Sequence, residues 1–158
     1  MTRRPRTVSG PAGPRRIGVP LVPTMLLADA DADACQMMRD ALLEGIGPCD
    51  LRTVASAGEL EAYLGDDEVT APSLILVDLD LPAAPASALD AVRAVKRNPG
   101  LRCIPVVVLA RHPERDDIQA AYEAGANTVI RKPVTFLALV KLIKVFTAYW
   151  LDAAALPE

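Results

Sequence analysis

Short apolar segments alternate with helix-like segments five times along the chain, and this alternation limits the possible folds more than any other feature. In the helix-like segments apolar residues recur at helical spacing, as Cys35, Met38 and Leu42 do after the first apolar segment. A repeated strand–helix alternation predicts one parallel sheet with helices on both faces. The predicted strands are Leu21–Ala28, Asp50–Ser56, Leu74–Val77, Pro105–Ala110 and Thr128–Arg131.

Capping and breaking residues set the ends of the predicted helices. Ser56 is followed three residues later by Glu59, a capping box that predicts a helix start directly after Ser56. The breakers Asn98–Gly100 end the third helix, and Gly125 ends the fourth. The predicted helices are Ala32–Glu44, the segment after Ser56, Ala86–Arg97, His112–Ala124, and a last helix from Pro133 to about Leu151.

Charge is unevenly distributed and limits the classes of partner. The net charge is −3, but residues 1–24 hold five arginines and no acidic residue, so the rest carries 12 basic and 20 acidic side chains. An acidic domain repels phosphates, which argues against a nucleic-acid binder. We interpret residues 1–18 as a disordered basic tail.

Hydropathy and cysteine content indicate a cytoplasmic protein. No apolar stretch reaches the roughly 20 residues that a membrane-spanning helix needs. The three widely spaced cysteines, Cys35, Cys49 and Cys103, match neither a disulfide framework nor a zinc pattern. We expect them to be reduced.

Ionisable residues stand where three predicted strands end, at one edge of the parallel sheet. The first strand ends at Asp29, the third at Asp78, and the fifth at Arg131–Pro133, which includes Lys132. Crowded carboxylates repel each other unless a cation joins them, and Mg²⁺ is a hard cation that takes oxygen ligands. A carboxylate beside Mg²⁺ can attack a phosphoryl group while a nearby lysine pairs with the phosphoryl oxygens. These residues are therefore a candidate phosphoryl-transfer site.

Several motifs in consistent order make the chain resemble the receiver domain of two-component response regulators. The sequence LILVDLDLP at Leu74–Pro82 resembles the family's phosphoacceptor strand and turn. Arg131–Pro133 resembles its lysine–proline motif. Asn98–Ala110 and Ala121–Ala126 are typical of the segments around its fourth strand and helix. The resemblance runs from about residue 24 to the last residue.

The resemblance implies a fold and a set of roles. The fold is flavodoxin-like, a five-stranded parallel sheet with strand order 2-1-3-4-5. Asp78 is the implied phosphoacceptor, and Lys132 pairs with the phosphoryl group. The implied ligands of Mg²⁺ are Asp29, Asp78 and the backbone carbonyl of Asp80.

The C-terminal sequence FTAYWLDAAALPE is similar to that of single-domain regulators that partner bacterial phytochrome kinases. Those regulators carry an extension with a Trp-Leu pair and a Leu-Pro, here Trp150–Leu151 and Leu156–Pro157. The resemblance implies a sensor histidine kinase, such as a bacteriophytochrome, as partner. It also implies a receiver domain at residues 19–151 and an extension at residues 152–158, with no output domain.

The sequence departs from the family at the metal site. The family has two adjacent acids after the first strand, whereas here Asp29 is followed by Ala30. The strand register prevents Asp31 from simply replacing the second acid. Asp31 either reaches the pocket through a rearranged loop or lies at its rim, and we expect the second. We expect Asp33 on the first helical turn, where a negative charge suits the helix dipole. The missing acid predicts weaker Mg²⁺ binding.

Two further departures concern the response to phosphorylation. The family has Thr or Ser where this chain has Ala110, and Tyr or Phe where it has Val129. With fewer contacts that differ between the inactive and active conformations, phosphorylation is predicted to shift the population between them less. Arg111 follows Ala110 and either approaches the phosphate or is a surface arginine, and we expect the second.

The last helix is apolar almost all round, with Lys141 and Lys144 its only charges from Phe136 to Leu151. Such a helix is either deeply buried in its own core or partly covered by another chain. Because the last helix of this fold lies on the outside, we expect a homodimer. The predicted interface residues are Leu137, Val140, Phe146, Tyr149 and Trp150.

Two functional hypotheses follow. The first is a receiver, not an enzyme with its own substrate turnover, that accepts a phosphoryl group on Asp78 and signals by protein–protein contact. The second is a phosphorylation-independent, dimeric interaction or scaffold module, which Ala30, Ala110 and Val129 favour. A small-molecule binder is a weaker third idea because the chain has no glycine-rich phosphate loop.

Overall fold

The computed structural model describes residues 23–157, in which five strands alternate with five α-helices and a short π-helix follows. The predicted basic tail and the first two residues of the predicted first strand lie outside this part of the chain. The strands are β1 (Thr24–Ala28), β2 (Asp50–Val54), β3 (Leu74–Asp78), β4 (Val106–Ala110) and β5 (Thr128–Arg131). The α-helices are α1 (Ala32–Ile46), α2 (Ala57–Gly65), α3 (Ala88–Arg97), α4 (Arg115–Ala124) and α5 (Phe136–Thr147).

The strands of the described region form one parallel sheet in the order β2-β1-β3-β4-β5. Ala28 of β1 pairs with Val77 of β3, and Asp78 pairs with Leu109 of β4. The carboxyl ends of these three neighbouring strands therefore share one edge of the sheet. The predicted flavodoxin-like fold and its strand order are confirmed.

Alternation along the strands creates two apolar cores, one on each face of the sheet. One core joins the sheet to α2, α3 and α4, and Leu26, Ile75 and Val108 belong to it. The other joins it to α1 and α5, and Met25, Leu76 and Val107 belong to it. Because both faces are covered, the central strands are continuously apolar.

Side-chain caps fix several helix starts. The Ser56 hydroxyl accepts the N–H of Glu59 (3.1 Å), as predicted, but the Glu59 carboxylate accepts the N–H of Ala55 and not that of Ser56. The predicted capping box is therefore displaced by one residue. The predicted start of the last helix at Pro133 is wrong, because the Thr135 hydroxyl accepts the N–H of Ala138 (3.2 Å) and α5 begins at Phe136.

Helix α5 corrects part of the predicted interface. Val140 and Phe146 are only 4% and 6% exposed and pack within the core shared with α1, so they offer almost no surface to a second chain. Leu137 and Tyr149 are 64% and 59% exposed, and Trp150 is partly buried.

The π-helix Ala148–Ala153 continues α5 and ends two residues inside the predicted C-terminal extension. The rings of Tyr149 and Trp150 meet edge to face there, with centroids 5.1 Å apart. Among residues 23–157, no helix is both long and apolar enough to cross a bilayer.

Candidate functional site

Two carboxylates lie side by side at the shared strand edge. Asp29 directly follows β1 and Asp78 ends β3, and they are only 4% and 6% exposed. The backbone N–H of Asp29 donates to Val54 of β2 (2.9 Å), so the ladder holds this residue in line with the strand. Both acids therefore stand on the rigid sheet, and their positions do not depend on loops.

Lys132 joins the two carboxylates. Its Nζ lies 2.7 Å from Oδ2 of Asp29 and 2.9 Å from Oδ2 of Asp78. The backbone N–H of Lys132 donates to the carbonyl of Ala110 (2.8 Å), which fixes the lysine directly after β5. The structure thus brings together the three side chains singled out from the sequence.

The second oxygen of each carboxylate accepts a backbone N–H two residues further along the chain. Oδ1 of Asp29 accepts from Asp31 (2.9 Å), and Oδ1 of Asp78 accepts from Asp80 (3.1 Å). Each carboxylate therefore has one ammonium partner and one amide partner. These bonds orient both acids and fold the turns that follow β1 and β3.

Electrostatics keep Lys132 charged. Burial alone would lower its pKa, but the hydrogen bonds to Asp29 and Asp78 and the negative charges of these acids raise the pKa above its ordinary value. The site therefore holds one positive and two negative formal charges, and it retains a net attraction for cations.

The acids fit a hard divalent cation, although the site has one acid fewer than the family pattern. Asp29 and Asp78 supply neighbouring carboxylates, and the turn that contains Asp80 lies beside them. Ala30 supplies no carboxylate, and within residues 23–157 no group of three or more His, Cys, Asp or Glu side chains is arranged to hold a metal. The side chains available to a cation at this edge are thus the two carboxylates of Asp29 and Asp78.

Asp31 and Asp33 lie where the sequence predicts. Asp31 is the N-cap of α1, and its Oδ1 accepts the N–H groups of Asp33 (2.9 Å) and Ala34 (3.3 Å). Asp33 lies in the first turn of that helix. Because the Asp31 carboxylate caps the helix, it does not replace the missing second acid.

Ala110 and Val129 occupy the two positions where the family has a hydroxyl-bearing and an aromatic residue. Ala110 is buried at the end of β4 and carries no hydroxyl for a phosphoryl group. Val129 is partly buried against the α2–α3–α4 core. Its backbone N–H donates to the hydroxyl of Tyr122 on α4 (3.3 Å), so an aromatic residue from the helix covers this strand.

Two contacts at the site were not predicted. Arg111 Nη2 lies 3.4 Å from Asp31 Oδ2, a pair between residues 80 positions apart. The Cys35 thiol donates to the carbonyl of Asp29 (3.5 Å), and burial, followed by the charge of Asp29, raises the pKa of the thiol. Charge and spacing along the sequence carry no signal for either contact.

Sequence comparison identifies the family. The model of the response regulator receiver domain matches residues 25–144, most of the chain, and the chain belongs to this family. Receiver domains are signalling proteins and not classical enzymes, and they bind Mg²⁺.

Within the family the chain is similar to response regulators of phytochrome systems. Response regulator Rcp1 of Synechocystis sp. is 36% identical over 86 residues, which are 54% of this chain and 57% of Rcp1. The match thus spans little more than half of this curated relative.

Two solved structures extend the similarity over most of the fold. The phosphorylated cyanobacterial phytochrome response regulator RcpA is 28% identical, with a TM-score of 0.79 over 87% of this chain and 99% of RcpA. The Mn²⁺-bound form of Rcp1 is 26% identical, with a TM-score of 0.77 over 86% of this chain and 99% of Rcp1. The predicted resemblance to regulators of phytochrome systems is confirmed.

Replacing Lys132 tests the charge balance of the site. We expect Lys132→Ala to lower the free energy of unfolding by about 2–4 kcal/mol in Mg²⁺-free buffer, because two buried carboxylates lose their shared counter-charge. Adding Asp78→Asn to this variant should restore part of the loss, because it removes one of the unpaired charges. Urea denaturation measures both effects.

Arg97→Ala, which removes an exposed cation at the end of α3, is the matched control and should change stability little. Equal losses in the Lys132 and Arg97 variants would contradict the shared role of Lys132.

Proposed function

We propose that the chain accepts a phosphoryl group on Asp78 from a phosphohistidine of a sensor histidine kinase and signals by protein–protein contact. The observation that carries the proposal is the Nζ of Lys132, which lies 2.7 and 2.9 Å from the buried carboxylates of Asp29 and Asp78. Membership of the receiver family supports the same role. The similar regulator RcpA is known in a phosphorylated form.

The geometry suits in-line attack by Asp78. An oxygen of its carboxylate attacks the phosphorus atom, an O–P bond forms, and the N–P bond to imidazole breaks with its electron pair leaving on nitrogen. The Asp80 amide holds Oδ1 at 3.1 Å and so fixes the orientation of the nucleophile. Lys132, 2.9 Å from Oδ2, is placed to pair with the incoming phosphoryl oxygens.

Asp29, Asp78 and the backbone carbonyl of Asp80 are the proposed ligands of Mg²⁺. When bound there, the cation neutralises negative charge on the transferring phosphoryl group. Because Ala30 removes one charged ligand, we expect this site to bind Mg²⁺ more weakly than one with two adjacent acids. The similar Rcp1 is known in a Mn²⁺-bound form, which supports a cation at this edge.

A bacteriophytochrome histidine kinase is the proposed phosphodonor, acting in the cytoplasm. The support is the similarity to Rcp1 and to RcpA, the latter described as a phytochrome response regulator. The structural similarity to RcpA covers 87% of this chain.

Phosphorylation by a small donor tests the proposal. Incubation with acetyl phosphate and Mg²⁺ should add the mass of one phosphate to the intact wild-type chain, measured by mass spectrometry. Asp78→Asn should gain nothing, and its fold should be unchanged because Asn keeps the size of Asp. A purified, autophosphorylated phytochrome kinase then provides the physiological test.

Absence of any mass gain with both acetyl phosphate and the kinase would refute the proposal. Equal gain in the wild type and in Asp78→Asn would place the phosphate on another residue.

We further propose a homodimer through the outer face of α5. Leu137, Val145 and Tyr149 are 64%, 72% and 59% exposed. With Lys141 between the first two, they recur every four residues along α5 and the π-helix that continues it, so they share one stripe opposite the buried Ile143. Exposed apolar side chains grouped in this way favour an interface, and the aromatic Tyr149 is a typical anchor.

Charge placed on the stripe should separate the protomers. We expect light scattering with size-exclusion chromatography to give twice the monomer mass for the wild type. Leu137→Glu and Tyr149→Glu should give the monomer mass, because a carboxylate is costly to bury in an apolar interface.

Ala62→Glu on α2 is the matched control, since it adds the same charge on the opposite face of the sheet. A monomeric wild type, or dimers in both stripe variants, would refute the interface.

A further inference from the structure

An ion pair crosses the mouth of the phosphoacceptor site. In the sheet β3 lies between β1 and β4, Asp31 lies in the turn after β1, and Arg111 directly follows β4. The 3.4 Å contact from Arg111 Nη2 to Asp31 Oδ2 therefore bridges the loops on either side of the strand that carries Asp78. Although Arg111 remains largely exposed, its guanidinium is tied to the loop on the far side of β3.

The ion pair is weak enough for Arg111 to leave Asp31 for a stronger partner. The Arg111 and Asp31 side chains are 59% and 48% exposed, and exposed pairs contribute little to stability. Oδ1 of Asp31 is occupied with the N–H groups of Asp33 and Ala34, so only Oδ2 serves the arginine. Asp31 thus offers Arg111 a single partly hydrated oxygen.

The local shape gives Arg111 room to move. A cleft of about 320 Å³ separates the turn after β3 from the loop after β4, and Asp80, Ala110 and Arg111 line it. Ala110 lines this cleft with a methyl group and offers no hydroxyl to it. His112 and Asp117 also line this cleft, so its far wall contains further polar groups.

We propose that Arg111 is the residue of the β4–α4 loop that contacts the phosphoryl group and takes the place of the hydroxyl missing at Ala110. The inference rests on the proposed phosphorylation of Asp78. In the unphosphorylated chain Asp31 holds the arginine across the mouth. Once Asp78 carries the phosphoryl group, Arg111 leaves Asp31 for it.

Charge and geometry favour this exchange. A phosphoryl group carries close to two negative charges and three acceptor oxygens, whereas Asp31 presents one free oxygen. Guanidinium binds phosphoryl oxygens through two parallel hydrogen bonds, which lysine cannot reproduce. The phosphorylated state therefore has a contact that the unphosphorylated state lacks, as a two-state switch requires. Movement of Arg111 draws in the loop that leads to α4.

Phosphorylation kinetics of single and double variants test the inference. At low acetyl phosphate and about 0.5 M salt, where long-range attraction is screened, we expect Arg111→Ala to gain phosphate about threefold to tenfold more slowly than the wild type. Asp31→Asn should gain it faster, because Asn still caps α1 but no longer holds the arginine. Arg111→Lys should recover only part of the rate.

The double variant shows whether Asp31 acts through its contact with Arg111 or only through its own charge. If Asp31 acts only through Arg111, the Arg111→Ala/Asp31→Asn chain should react at the rate of Arg111→Ala alone. If the effect of the double variant equals the product of the two single effects, the two charges act independently and the inference is overturned. A change of rate in the same direction in Arg111→Ala and Asp31→Asn would also overturn it. Arg102→Ala, an exposed arginine in the α3–β4 connection, removes the same charge far from the site and should react like the wild type.

The outcomes also distinguish this inference from the proposed function. If the wild type gains phosphate and Arg111→Ala gains it at the same rate, the role of Arg111 is overturned but the proposed phosphorylation of Asp78 is not. A wild type that gains none would overturn both.

Discussion

The shared ammonium of Lys132 is the interaction on which the rest of the site depends. Two carboxylates that are almost fully buried at a strand edge repel each other and cost free energy unless a positive charge lies between them. The parallel sheet brings the ends of β1 and β3 together, and the turn after β5 delivers the lysine at 2.7 and 2.9 Å from Asp29 and Asp78. In the proposed reaction this ammonium exchanges a carboxylate partner for an oxygen of the incoming phosphoryl group.

The strand–helix pattern was sufficient to predict the parallel sheet and the three central side chains, and the family resemblance implied the strand order. Continuous apolar strands separated by amphipathic helices admit few topologies, and the ends of parallel strands meet at one edge. The pair of Arg111 with Asp31 was not predictable in this way, because loop conformation decides a contact between residues 80 positions apart.

Helix α5 shows a second limit of sequence reasoning. Its residues are apolar on nearly every side, so composition cannot distinguish the face toward α1 from the face toward solvent. Val140 and Phe146 belong to the inner face, whereas Leu137 and Tyr149 belong to the outer one. Capping by Thr135, and not the position of Pro133, sets the start of the helix. Local sequence patterns therefore predicted the helix, but the exposed face of the helix could be identified only from its packing in the structure.

Calorimetric titration with Mg²⁺ tests the central claim most directly, namely that Asp29 and Asp78 form a cation-dependent phosphoryl site that lacks one acid. We expect weak binding to the wild type, loss of binding in Asp29→Asn, and about tenfold tighter binding in Ala30→Asp, which restores the second carboxylate. Unchanged affinity in both variants would place the cation elsewhere and contradict the claim.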